Sequence, residues 1–275
     1  MSRKVSKIDY SKAMLPRTRK AQFGDCFKMN YIVLLKSGLL LLIFFMPLIA
    51  FSFFMDFYYV SLLENSVEEV EQTKMIFHYF FNVGLIILSL IALIGVTGVI
   101  RVLRNLIWGE GMYFKSDFIL GIRQNVGKNI AFAGIFSIFY ALAYFVYSIF
   151  PETLISYFGL FMFALIFLPT YFWIILLNNT YNSKWSGLLK NGLFFYIKTI
   201  GWSLLFAVIT ISPVWLIFVP MALLWVKYIV LVLIVVFLFP ILFLVMVLYS
   251  TSKFDDYINK DNYPDFYKRG INVNK

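Results

Sequence analysis

Residues that carry out chemistry are scarce in this 275-residue chain. It has one cysteine, Cys26, which excludes an intrachain disulfide bond. The single histidine, His78, and this one thiol are too few for a zinc site or a Cys–His nucleophile pair. The sequence also contains no Gly-rich phosphate-binding loop, no His-Glu-x-x-His and no Gly-x-Ser-x-Gly. These absences predict a non-enzymatic protein without catalytic residues, metal or cofactor.

Charge is scarce as well: 14% of the residues are charged and 61% are hydrophobic, with a mean hydropathy of +0.83. Several apolar runs reach the roughly 20 residues that a helix needs to cross a bilayer. They lie at about 34–55, 77–100, 129–150, 155–178, 193–216 and 222–250. No charged residue or histidine falls in the centre of any run, which argues against a proton-coupled carrier. The predicted fold class is all-α, a polytopic membrane helix bundle with six transmembrane helices and cytoplasmic amphipathic arms.

The positive charges lie almost entirely on one side of these runs. Of the 24 lysines and arginines, 22 fall before the first run, in the alternate connections on that side, or beyond the last run, counting Lys36 and Lys198 near the adjoining ends of two runs. The other connections hold only Lys74 and Lys227 among several acids, most of them in the acidic segment 56–78. Because basic loops stay in the cytoplasm, both termini are predicted to be cytoplasmic. The net charge of +10, spread over membrane-flanking segments, favours anionic lipid headgroups over nucleic acid as a partner.

Outside the membrane helices the chain has little mass. A basic N-terminal arm (1–30) precedes the membrane domain (31–250), and a polar C-terminal tail (251–275) follows it. Neither arm is long enough for a separate soluble domain. We therefore predict one membrane domain with short cytoplasmic extensions.

Two cytoplasmic arms are predicted between the helices. The second helix should continue through Arg104 and stop at the glycines of 109–111, because glycine accepts a left-handed cap. Ser116 is then predicted to cap a short amphipathic helix (118–126) that lies on the membrane. A similar arm occupies 181–190. The two helix–arm–helix units are either a parallel duplication or a chance similarity between amphipathic arms.

Polar and small residues inside the predicted helices are usually found where membrane helices contact one another. Alternatively, some of the polar side chains line a small cavity. The polar residues are Asn82, Thr97, Ser137, Tyr140, Tyr144, Ser148, Thr170, Asn178, Ser203 and Thr210. Gly95 and Gly98 are typical of close helix packing.

The most informative polar segment surrounds the end of the second helix. Arg101 and Arg104 fall on one helix face near the headgroups, where arginines commonly contact lipid phosphates. A more specific hypothesis is that Glu110 and Asp117 accept hydrogen bonds from nearby arginines and lock the next arm against the helix. The candidate donors are Arg101, Arg104 and Arg123.

The order of these residues resembles the YesL-like family of bacterial membrane proteins. The shared pattern is Gly-x-x-Gly-x-x-Arg-x-x-Arg, then Gly-Glu, then Ser-Asp-Phe-x-x-Gly-x-Arg-x-Asn, and the tail 254–270 is similar to the end of the longer members. The resemblance implies a membrane protein of unassigned activity, associated with carbohydrate uptake and breakdown in Gram-positive bacteria, and hence a bacterial cell membrane location. It assigns no catalytic residues. The candidate interaction or structural residues are Arg101, Arg104, Glu110, Gly111, Ser116, Asp117, Phe118, Arg123, Asn125, Tyr263, Pro264, Tyr267, Arg269 and Gly270.

Two functions are compatible with these features. The first is a non-enzymatic accessory of a solute (carbohydrate) uptake system that contacts a membrane transport complex through 101–125 and 263–270. The alternative is an autonomous transporter or channel for a neutral solute. That alternative predicts a continuous polar cavity among the second to fifth helices.

Overall fold

The computed structural model describes residues 15–65, 70–110, 113–150, 153–215 and 224–272. Within these segments every regular element is a helix. The α-helices are α1 (Arg19–Met29), α2 (Tyr31–Asn65), α3 (Val70–Trp108), α4 (Phe114–Ile149), α5 (Leu154–Met162), α6 (Leu168–Thr180), α7 (Trp185–Lys198), α8 (Ile200–Trp215), α9 (Leu224–Leu233), α10 (Phe239–Phe254) and α11 (Lys260–Asn262). Three π-helical segments connect some of them: Phe163–Phe167, Ile234–Leu238 and Asp255–Asn259.

The predicted fold class is confirmed as an all-α polytopic membrane helix bundle. Five helices in the described segments are long and apolar enough to cross a membrane, and the bent pair α7–α8 makes a sixth if it counts as one span. Helix α3 lies at the centre, packed against α2, α4, α6 and α10. Val99, Val102, Leu103 and Ile107 of α3 are completely buried.

The first predicted arm does not exist as a separate helix. Helix α4 runs without interruption from Phe114 to Ile149, so the segment 118–126 is the first part of a span. The helix also begins before Ser116, so Ser116 is not its N-cap as predicted. Asp117 instead bonds to the backbone at the helix start. The Asp117 carboxylate accepts a hydrogen bond from the Tyr113 N–H at 3.0 Å, which satisfies an otherwise unpaired amide at the helix start.

The second predicted arm is a separate helix, but it is longer than expected. Helix α7 extends to Lys198 and meets α8 at a bend of 102°, so the predicted span 193–216 is wrong at its start. The Thr199 hydroxyl lies at this bend, donates to the Phe195 carbonyl at 2.6 Å and lies 3.0 Å from the Ser203 hydroxyl. The two helix–arm–helix units thus differ in shape, which favours chance similarity over duplication.

Two spans change their winding just before a proline. Pro169 and Pro240 each follow a five-residue π-helical segment, Phe163–Phe167 and Ile234–Leu238. A proline inside a helix lacks an N–H and its ring collides with the carbonyl four residues earlier, which here lies within the π-helical segment. The wider π turn moves that carbonyl away, so these helices continue where a regular α-helix would break.

Close helix contacts depend on glycine at a few positions. A Cβ at Gly98 would overlap the Phe118 ring, and one at Gly121 would lie 2.6 Å from the Arg101 Cβ. Gly98 and Arg101 of α3 and Phe118 and Gly121 of α4 are therefore the two sides of the α3–α4 contact, which confirms close packing at Gly98. Gly95 instead packs against Phe44 of α2. On the other side of the bundle, Gly38 of α2 lies directly against the backbone carbonyl of Val236.

Candidate functional site

The polar structure of the molecule is concentrated at one end of the bundle, called here the basic end. It consists of α1, the last turns of α3 and α6, the first turns of α4, and the segment 263–270. Helix α3 stops here at Gly109, whose φ of 66° is the left-handed conformation predicted for this glycine. Gly111 lies outside the described residues. Three features of this end follow: a group of asparagines, a cavity, and a clamp on the C-terminal segment.

Four buried asparagines form a hydrogen-bonded group, called here the asparagine cluster: Asn125, Asn129, Asn178 and Asn179. Asn178 Nδ2 donates to Asn129 Oδ1 at 2.8 Å and to the Asn125 carbonyl at 2.9 Å. Asn125 Nδ2 donates to Asn179 Oδ1 at 3.0 Å, and Asn129 Nδ2 donates to Thr97 Oγ1 at 3.0 Å. The cluster joins α3, α4 and α6, so Thr97 and Asn178 make the predicted helix contacts, while Asn178 also lines a cavity as the alternative expected.

Arg104 belongs to this group and not to the predicted lock. It is 5% exposed and donates to the Asn179 carbonyl and, at 2.9 Å, to Asn105 Oδ1. Its guanidinium lies over the Trp108 ring, 4.5 Å from the ring centroid. The predicted pairing of Arg104 with Glu110 or Asp117 is wrong, because the guanidinium instead donates to the Asn179 backbone carbonyl at the end of α6 and to Asn105.

A polar cavity of about 630 Å³ lies beside the asparagine cluster. The ends of α3 and α6, the first half of α4 and the C-terminal segment enclose it. The lining residues are Arg101, Gln124, Asn125, Lys128, Asn178, Asn179, Thr180, Tyr181, Asn182, Tyr263 and Phe266. Two of these are cationic and none is acidic. The Tyr263 and Phe266 rings stack with their planes 14° apart and form an aromatic wall.

The C-terminal segment is clamped against the bundle. Arg19 of α1 pairs with Asp255 at 2.7 Å, and Gln22 of α1 donates to the carbonyls of Ile107 and Gly270. Arg269 pairs with Glu110 at 2.8 Å. These contacts hold the segment beside the end of α3, where Gly270 has a φ of 79°.

Glycine is needed at position 270, because a Cβ there would overlap the Ile107 carbonyl.

Burial lowers the pKa of the Arg19 guanidinium from its ordinary value, and Asp255 opposes that shift. Burial also raises the pKa of Tyr181 far above its ordinary range, with Asp255 and Tyr263 adding to the effect. The Tyr181 phenol therefore stays protonated and donates to Asn259 Oδ1.

The candidate residues chosen from the sequence divide into three groups. The α3–α4 contact includes Arg101 and Phe118, and the cavity is lined by Arg101 and Asn125. The clamp includes Glu110, Arg269 and Gly270. Tyr263, Pro264 and Tyr267 are exposed beside the cavity or the clamp, whereas Ser116 and Arg123 are exposed on α4.

Sequence reasoning missed several residues of this site, including three that belong to the asparagine cluster or carry charge in the cavity. Asn129, Asn179 and Lys128 were not chosen, although Asn125 and Asn129 are spaced i, i+4 and share one helix face. The adjacent asparagines 178 and 179, at the end of an apolar run, are a second sequence signal for a polar contact between helices. Lys128 donates to the Ser183 carbonyl at 2.7 Å and lines the cavity.

At the opposite end, two residues expected in external connections form a buried ion pair. Asp56 lies in α2 and Lys227 in α9, and the Tyr228 hydroxyl donates to Asp56 at 2.7 Å. The Lys227 side chain is 4% exposed. Membrane helices pair such charges with each other because an isolated charge in the bilayer is costly.

The interior of the bundle holds a separate apolar cavity of about 210 Å³, lined by side chains such as Leu93, Val96, Phe172 and Phe243. It shares no lining residue with the polar cavity. These two cavities thus do not form the continuous polar route that the transporter hypothesis predicts. Among the described residues, no three His, Cys, Asp or Glu side chains are grouped as a metal site requires.

Comparison with protein-family models, with curated proteins and with solved structures finds no match for this chain. The resemblance to the YesL-like family stays a prediction.

Proposed function

We propose that this chain is a non-enzymatic membrane component that assists a solute uptake system, with carbohydrate as the solute class that the family resemblance implies. Its basic end faces the cytoplasm of a bacterial cell, where its lysines and arginines contact anionic headgroups. The working surface is the clamped C-terminal segment. It docks on a membrane transport complex.

The observation that carries this proposal is the fixed position of two exposed tyrosines. Tyr263 is 43% exposed and Tyr267 is 37% exposed, while the ion pairs of Arg19 and Arg269 hold the segment that carries them. Tyrosine and arginine are enriched in protein interfaces, where an aromatic ring gives a large contact area. A surface that is already ordered loses less entropy on binding, so a clamped segment is better suited to docking than a free tail.

Purification from the native host in mild detergent, followed by mass spectrometry, tests the proposal. The expected result is repeated recovery of a transport subunit with the wild-type protein and its loss with Tyr267→Ala. Tyr58→Ala is the matched control, because Tyr58 is 54% exposed but lies toward the opposite end of α2. Recovery of no transport subunit by folded wild-type protein would contradict the accessory function.

One observation favours the second candidate, an autonomous transporter for a neutral solute. The π-helical segments before Pro169 and Pro240 are places where two spans can change their bend, and π turns are frequent at functional sites. Solute flux by the purified protein in proteoliposomes, lost when the bundle is cross-linked, would favour this candidate over the accessory function.

A further inference from the structure

We infer that the polar cavity of the basic end is a binding site for a small phosphate-bearing molecule. This inference does not depend on the accessory function, because Tyr267 lies outside the cavity lining and can be altered without changing the cavity. It begins from the size of the cavity. About 630 Å³ is within the range of roughly 300–1,000 Å³ that small-molecule sites occupy.

The charge of the lining selects an anion. Arg101 and Lys128 are its only charged residues. Glu110 and Asp117 act on Arg101 electrostatically. Asp255 acts on the lining residue Tyr181, but it is paired with Arg19. Glu110 is paired with Arg269, and Asp117 accepts the Tyr113 N–H.

Arg101 is therefore left with donors to spare. Among the described residues it has no hydrogen-bonded carboxylate, and its Nε is buried without a partner. Lys128 gives one N–H to the Ser183 carbonyl and keeps two others for a ligand. An arginine fork together with a lysine is the usual protein arrangement for holding a phosphate group.

The rest of the lining suits the organic part of such a molecule. The stacked Tyr263 and Phe266 rings offer an aromatic face for a ring, and the Gln124 and Asn182 amides can bond to hydroxyl groups. The asparagine cluster holds the wall rigid, because its side chains are bonded to each other across α4 and α6. The ligand class is thus a phosphate ester, of which a sugar phosphate and a phospholipid headgroup are two sources.

Calorimetric titration and thermal melting of the purified protein in a zwitterionic or uncharged detergent test the inference. The soluble probes are glucose 6-phosphate, inorganic phosphate and glucose. Nanodiscs of phosphatidic acid or of phosphatidylcholine alone test the lipid source. We expect glucose 6-phosphate to bind and raise the melting temperature, and glucose to do neither. Binding confined to phosphatidic acid assigns the phosphate to a headgroup and supports the same site.

Lys128→Gln should weaken the binding of the phosphate probe by at least about tenfold, because a charged hydrogen-bond donor is lost. Arg101→Lys keeps the charge but loses the fork, so it should weaken binding while leaving the protein folded. Arg123→Gln removes the same charge from an exposed position of α4 outside the cavity and should change the affinity less than about twofold.

Three outcomes would overturn the inference. The first is that no phosphate-bearing probe binds to the folded wild type. The second is equal affinity for glucose and glucose 6-phosphate. The third is phosphate binding that neither Lys128→Gln nor Arg101→Lys weakens. Each of these outcomes is independent of the pull-down result, because the substitutions leave Tyr263 and Tyr267 unchanged.

Discussion

The carboxamide of Asn178 donates a hydrogen bond to the carboxamide oxygen of Asn129 at 2.8 Å, between α6 and α4. Asn178 is 5% exposed and Asn129 is completely buried. Asn129 in turn donates to the Thr97 hydroxyl of α3, so one side chain connects three helices. In a membrane no water is present to replace such a bond, and the partners of a deleted amide are left unpaired.

Replacing Asn129 with alanine should therefore destabilise the bundle by about 1–2 kcal/mol. The measurement is thermal unfolding of the purified protein in detergent, followed by fluorescence. Asn182→Ala is the matched control, since Asn182 is exposed and outside the cluster, and its melting temperature should equal that of the wild type. Equal melting temperatures for both variants would show that the cluster adds no stability.

Gly38→Ala should lower stability because a methyl group at this position has no room. It would overlap the Val236 carbonyl in the π-helical segment before Pro240, and a backbone atom cannot rotate away as a side chain can. Overpacking of this kind costs about 1–3 kcal/mol. Gly134→Ala in α4 is the control, because nothing lies within 4 Å of its new methyl group. That variant should be as stable as the wild type or slightly more so. A wild-type melting temperature for Gly38→Ala would mean that α2 and α9–α10 are not in close contact.

The ion pair of Asp56 and Lys227 should behave as a buried pair in a double-mutant cycle. Asp56→Leu or Lys227→Met alone leaves a charge in an apolar setting and should cost about 3–5 kcal/mol. The double variant removes both charges and should be more stable than either single variant. Lys253 and Asp256 form an exposed pair at 3.4 Å, and breaking it should change stability by less than about 1 kcal/mol. Strictly additive effects at Asp56 and Lys227 would argue against the pairing.

The thiol of Cys26 should react slowly in the folded protein. Burial in α1, with a smaller effect of Asp25, raises its pKa from 9.0 to about 11. Because the thiolate is the reactive form, the labelling rate of native protein should keep rising with pH up to about 11. In denatured protein the rate should level off near pH 9.0. Cys26 is the only cysteine, so a thiol reagent reports on this site alone.

The raised pKa of Cys26 should also make the stability of the protein depend on pH. A folded-state pKa above the unfolded value favours folding fully below pH 9.0, and this contribution disappears as the pH rises toward about 11. The unfolding midpoint of the wild type should therefore fall relative to that of Cys26→Ser as the pH rises from 9.0 to about 11. A native labelling rate that levels off at pH 9.0 would contradict the burial of the thiol.

Much of the fold was predictable because a bilayer imposes strong local rules. Apolar runs of sufficient length predicted the spans, and the left-handed glycine after α3 was read correctly at Gly109. Boundaries were predicted less well. Ser116 is a good capping residue by type, but the carboxylate of Asp117 accepts the N–H of Tyr113, and the helix already begins at Phe114.

The bend between α7 and α8 was also missed, because no proline marks it and Gly201, two residues after Thr199, lies inside α8. Among the site residues, the sequence alone identified which ones were unusual, such as Arg104, Glu110 and Arg269. It could not identify their partners, because pairing depends on which helices meet. Arg104 bonds to the Asn179 carbonyl 75 positions away, and Glu110 pairs with an arginine from the C-terminal segment.

Composition and the spacing of apolar residues, by themselves, determined that this protein is a polytopic helical membrane protein whose basic residues are concentrated in alternate connections between its apolar runs. Those properties follow from local sequence, since each span must satisfy its own backbone in lipid. Only the tertiary structure decided that Asn125, Asn129, Asn178 and Asn179 meet, and that Arg101 and Lys128 line one cavity. Contacts between distant residues depend on how helices cross, and the polar groups of a single helix do not determine which neighbour they will face.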